Sequence, residues 1–171
     1  MNKLNFRLII IHLVATRFFM FAFKTLFSLH ETKLILIYRD VDPSLFINEL
    51  EKQGVTSGDM VDFAFWTNVG ETIGLLIGFL VSLFISLRSN WFWVNSLIVL
   101  VLTYCLWRGG LLGLNFLNDI YYLKAWDSIH IKWLLIIIAS IFLFFGIITF
   151  FNREIFRFIS KSRATRKSHY R

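Results

Sequence analysis

NVGETIGLLIGFLVSLFISL, residues 68–87, is apolar enough to cross a bilayer and carries a small residue at every fourth position: Gly70, Gly74, Gly78, Ser82 and Ser86. Residues four apart share one helical face, so the row predicts a groove bare of side chains. In lipid, apolar contact alone gives helices little reason to associate, and such grooves let another backbone approach closely. Packing against another span of the same chain is the simplest use of the groove. Homodimerisation and the lining of a substrate path are the alternatives. Glu71, near the mouth of the groove, is the only acid inside any predicted span.

Composition places the whole chain in the same class. Of 171 residues, 57% are hydrophobic and 18% aromatic, with one proline, far more apolar than a soluble domain of this size. The formal charge of +7 would suggest nucleic acid if it covered a soluble surface. It is concentrated instead in the first helix and the tail, so the lipid bilayer, with its anionic lipids, is the simpler partner and nucleic acid is not expected. Cys105 is the single cysteine and falls inside an apolar run. No CxxC or Cys/His ligand spacing exists, so no metal or cofactor is predicted.

Outward from the glycine row towards the N-terminus, Thr56-Ser57-Gly58-Asp59 starts a helix that should run through Phe63, Phe65 and Trp66 into the span. Residues 29–68 form an acidic extracytoplasmic loop with Glu31, Asp40, Asp42, Glu49, Glu51, Asp59 and Asp62. Within it LILIY (34–38) fits a strand or the last turns of the first helix. Asp42-Pro43 reads as a helix start, and a short helix follows that ends at Gly54. The first helix, roughly 4–29, has its span at about 8–28. Its length, Arg17, Lys24 and the lack of a small-x-small site fit poorly with a cleaved signal peptide. At 100° per residue Lys3, Arg7, Arg17, Lys24, Thr25 and Ser28 fall within an arc of about 100°, with His12 and His30 away from it. Such a stripe fits a span whose basic face meets the bundle, or a helix lying flat among headgroups.

Towards the C-terminus, Arg88-Ser89-Asn90 is a tight connection to a span at 91–108, so the two spans are antiparallel neighbours. Arg108-Gly109-Gly110 ends that run. LLGLNFL (111–117) is too short to cross and reads as interfacial or re-entrant. Residues 132–151, KWLLIIIASIFLFFGIITFF, are the cleanest span, and a basic tail occupies 152–171. The expected fold is therefore an all-α, small polytopic helical bundle of four transmembrane helices, a single membrane domain over 1–171. Counting cations gives ten on the side of the termini and Arg88, and six on the other side with nine acids. Lys and Arg collect in the cytoplasm, so both termini are expected there, in a plasma (cell inner) membrane.

Three charged positions compete for a functional reading. Arg17 lies near mid-span, where a charge costs roughly 2.5–3.5 kcal/mol on an insertion scale. Lys24 and Glu71 approach from the same outer side and are expected to pair, with Arg17 reaching carbonyls, Asn95 or Tyr104, or snorkelling. The pair is structural, or it belongs to an ion or proton path; a partner's acid or a lipid phosphate would also suit the basic face. His30 and His130 share the outer boundary and Asp40-Val41-Asp42 resembles a hard-cation pair, yet neither has the spacing of a metal site. No GxSxG, HExxH or phosphate loop occurs, so no catalytic residue is expected. Two classes remain: a non-enzymatic subunit or stabilising factor of a larger membrane complex, partnered by another membrane protein or by its own copies, and a small oligomeric transporter or channel. The topology is testable by reporter fusions. Residues 2, 89 and 171 should report cytoplasmic and residues 50 and 120 external; residue 2 reporting external would leave three spans.

Overall fold

The computed structural model describes residues 4–40, 45–110 and 130–168, and every regular element within them is a helix. In chain order these are α1 (Phe6–Phe27), a 3-10 turn (Ser28–Glu31), α2 (Thr32–Asp40), α3 (Phe46–Lys52), α4 (Ser57–Arg88), α5 (Val94–Arg108), α6 (Ile131–Phe151) and α7 (Arg153–Ser168). Three helical stretches, Phe6–Ile37, Ser57–Arg88 and Ile131–Ser160, are long and apolar enough to cross a membrane.

The expected fourth span is shorter than the sequence suggests. Asn90 adopts a positive φ of 51° and the Trp91 amide donates to the Ser86 carbonyl at 2.8 Å, so the reversal continues through Trp93. At 15 residues α5 rises only about 22 Å, against a hydrocarbon core of about 30 Å. It ends at Gly109, with Gly110 at φ +71°, where an L side chain would be strained. Other boundaries follow local chemistry. Thr56 and Asp59 form a capping box that starts α4, and LILIY lies in α2, on the helical continuation of the first span. Leu34, Ile37 and Leu50 bury against one another beneath Val55 and Phe63, which gives the outer segment a small apolar cluster. The Asp42-Pro43 helix start and the 111–117 run lie outside the described residues. The tail is not merely a solvated strand of charge. Asn152 breaks the helix and its side chain accepts from the Glu154 and Ile155 amides, starting α7, whose Phe156 stacks on Trp91 at 5.3 Å.

α1 is the element against which α4, α5 and α6 all pack, while α4 and α6 scarcely meet among the described residues. The α6 contact is aromatic: Phe21 meets Phe142 at 4.5 Å between centroids, and Phe19 meets Phe150 at 5.7 Å. The α4 contact is backbone on backbone. A Cβ placed on Gly74 would lie 2.5 Å from the Met20 Cα, and one on Gly70 2.6 Å from the Phe23 carbonyl oxygen. At Gly78 it would meet the Thr16 side chain at 2.6 Å. The row therefore packs inside the chain, and its smallest possible extension has no room. Even an alanine forces the α1 backbone away at Gly74. Overpacking of this kind costs typically 1–3 kcal/mol. Gly74→Ala should lower thermal stability in detergent by an amount in that range, whereas Gly58→Ala, which meets only the Thr56 hydroxyl at 3.4 Å, should cost nothing measurable in the same melt.

Candidate functional site

Two polar layers cross the α1–α4–α5 interface, and both depend on the register that the glycine row imposes. The antiparallel packing of α4 sets Gly70 beside Phe23, Gly74 beside Met20, Gly78 beside Thr16 and Ser82 beside His12. Contacts of Asn5 with Asn95 at one end and of Arg17 and Trp107 with Glu71 towards the other make α5 run parallel to α1.

The outer layer is centred on Glu71, whose side chain is only 8% exposed. One carboxylate oxygen, Oε1, accepts from Arg17 Nη1 at 3.3 Å and lies 3.6 Å from Lys24 Nζ. The other, Oε2, accepts from the Trp107 indole N–H at 2.8 Å. Arg17 is as covered as Glu71, at 10%, while Lys24 is 36% exposed, so the cluster is closed on the Arg17 side and open on the Lys24 side. Arg108 lies over the Trp107 ring, 5.1 Å from its centroid, and extends the positive charge beyond Glu71. Three helices thus converge on one carboxylate.

The Arg17 guanidinium reaches neither Asn95 nor Tyr104. Asn95 accepts from the Asn5 amide and donates to the Phe92 carbonyl, and Tyr104 is exposed with its ring against Trp107. The physical reason is length: a guanidinium on a mid-helix position can follow α1 outward to the carboxylate, where a charge-assisted bond replaces the lost hydration. Trp107 was not legible as a site residue, although an indole N–H at the end of an apolar run always needs an acceptor when it is covered.

The inner layer joins His12, Ser82, Ser96 and Ser86, all buried. His12 Nδ1 lies 2.7 Å from Ser82 Oγ, Ser82 donates to Ser96 at 3.0 Å, and Ser96 and Ser86 are 2.9 Å apart. A serine beside a histidine has the spacing of a nucleophile and its base. Here the Ser82 proton is directed at Ser96, which leaves His12 as donor rather than base. The His12 ring rests on Phe150 at 5.1 Å, and no acid orients it among its described partners. This layer is a hydroxyl clamp between helices, where each bond contributes about 0.6 kcal/mol on average in a bilayer.

No protein family, curated protein or solved structure matches this chain, and the functional reading rests on the geometry.

Ser86 and Ser82 thus serve the hydroxyl clamp, while Gly70, Gly74 and Gly78 serve close approach. His30 packs on Trp66 at 5.3 Å and His130 caps α6 by accepting from the Lys132 amide, so each histidine has a local role. Among the described residues no group of three His, Cys, Asp or Glu side chains is placed to hold a metal. Among the described residues, three buried side-chain polar atoms have no hydrogen-bond partner: Thr16 Oγ1, Arg17 Nε and Thr103 Oγ1.

The sequence reading makes Lys24 the counter-charge of Glu71; the geometry gives Arg17 the closer and better-covered leg. Breaking one side of a buried pair costs roughly 3–5 kcal/mol in soluble proteins, and removing both is often near neutral. Glu71→Leu should therefore destabilise the protein strongly. Addition of Arg17→Met should restore more of the melting temperature than addition of Lys24→Met, because the latter leaves the covered guanidinium alone. Equal rescue by the two would show that the Lys24 leg carries as much as the Arg17 leg.

Proposed function

We propose that this chain is a non-enzymatic integral membrane subunit, or a stabilising factor, of a larger membrane protein complex. The observation that carries the reading is the way Glu71 is held. Both of its oxygens are occupied by groups from α1 and α5, so this buried carboxylate acts as a clasp between helices. A carrier that turns over must expose such a group alternately to two sides, which here means separating α4 from α1, packed backbone on backbone, and from the Trp107 side chain of α5. An enzyme needs a free nucleophile, and among the described residues the serine bonded to a histidine, Ser82, is covered and committed to Ser96.

In this reading the protein crosses a plasma (cell inner) membrane four times, with α5, lengthened by Trp91-Phe92-Trp93, as the short fourth span and both termini in the cytoplasm. The cation distribution supports that orientation, as does α7, whose Arg153 and Arg157 suit an anionic leaflet. A small transporter or channel for an ion or small anion is the second reading, favoured by the three unpartnered polar atoms inside the bundle. Purification of the full chain from its native membrane in mild detergent separates the two. The subunit reading expects a second polypeptide at fixed stoichiometry, whose abundance falls when this chain is deleted. A pure homo-oligomer that conducts an ion in vesicles would overturn it.

A further inference from the structure

The end of the bundle at which α1 begins and α6 finishes carries cations almost without acids. Arg7, Arg88, Arg153 and Arg157 are all exposed there. Among the described residues the one acid at this end is Glu154, and Arg157 already bonds it at 2.6 Å. Residues 1–3 add one Lys or Arg and residues 161–171 five, and neither stretch holds an Asp or Glu. Asp42, Asp119 and Asp127 belong to stretches joined to the opposite ends of the helices, since α5 runs parallel to α1 and α6 antiparallel to it.

The fold holds α7 at the level where these charges meet headgroups. α6 rises about 31 Å over its 21 residues, close to the ~30 Å hydrocarbon core, so its end at Asn152 falls near the boundary. The helix breaks there, at ψ 126°, and one turn later Phe156 stacks on Trp91 of the α4–α5 reversal. Phe158 lies under the Arg7 guanidinium, 4.4 Å from its ring centre. α7 is thereby tied to the α4–α5 reversal and to the first turn of α1. At 100° per residue Ile155, Phe156 and Ile159 share an arc of about 100°, whereas Arg153 and Arg157 stand one turn apart on the other side of the helix. Phe151, Phe158 and Trp93 leave about half of their surface exposed nearby. Outward rings among exposed guanidinium groups suit the interfacial layer, where rings meet the acyl boundary and cations meet phosphate. A soluble acidic partner would answer the charge but not the rings.

We propose that α7 and the first turn of α1 form a binding surface for anionic phospholipid, with Arg7, Arg153 and Arg157 on the headgroup and Phe158 at the acyl boundary beside them. A zwitterionic headgroup brings its own cation, so a surface with a single, already bonded acid selects the net-negative class. The proposal gives a site to the leaflet preference used above and stands whatever partner the bundle serves.

The test uses the full chain reconstituted in phosphatidylcholine bilayers with a trace of spin-labelled phosphatidylglycerol or spin-labelled phosphatidylcholine. The share of each label in contact with the protein is read from the motionally restricted part of its spectrum. Phosphatidylglycerol should be preferred several-fold. Arg153→Gln and Arg157→Gln should each lower that preference, by up to about fivefold. Glu154→Gln should raise it, a gain that misfolding does not mimic. Lys132→Gln, which removes an exposed cation at the opposite end of α6, should leave it unchanged. Equal association of the two lipids would overturn the proposal. So would a preference that survives the Arg153→Gln/Arg157→Gln double variant, or one that Lys132→Gln lowers as much as Arg153→Gln does. Displacement of the labelled phosphatidylglycerol by a short RNA would replace lipid with nucleic acid as the partner of this surface.

Discussion

Everything else in the bundle depends on how closely α4 can lie on α1. At Gly74 the two backbones meet with no room for a methyl group, and that contact sets the depth and rotation of every residue above and below it. One helical turn to one side of it the register brings Glu71 to the Arg17 guanidinium, and two turns to the other side it brings Ser82 to His12. Side-chain packing in lipid gains little over side-chain contact with lipid itself. Backbone approach followed by polar bonds is what makes this pairing specific. α6 solves the same problem differently, through aromatic rings that interleave along the opposite flank of α1.

The two polar layers play unequal parts. The hydroxyl clamp consists of short, neutral bonds between fully covered groups, each modest in energy and each satisfied by another span. The charged layer is costlier to assemble, because a guanidinium and a carboxylate must both leave water, and replacement of such a pair by apolar groups is often no loss to stability.

Some of this architecture was legible in the residues. A small residue at every fourth position in an apolar run has few physical uses, so the groove could be read directly; the capping box, the α4–α5 reversal and the α6 span were equally plain. The identity of the groove's occupant was not, since neither Met20 nor Thr16 announces that it faces a glycine. Arg17 was misassigned because spacing places a Cα and says little about where a long guanidinium ends. The His12–Ser82 pair needed the helix register, which no single helix contains. α5 was read as longer than it is because Trp91 and Phe92 are apolar enough for a span yet lie in the turn. α7 was read only as a basic tail, because two apolar residues without regular spacing among its cations, Phe156 and Ile159, do not reveal that Phe156 stacks on Trp91 and Ile159 is buried.

The central position of α1 also imposes an order of events during synthesis. Arg17 leaves the ribosome 54 residues before the carboxylate that answers it. At about 5–20 residues per second that interval is roughly 3–11 s. For those seconds the nascent helix has its cations but neither the glycine face nor the aromatic flank that will enclose it. The hub is therefore made before the elements that cover it and is enclosed only once both α4 and α6 have followed.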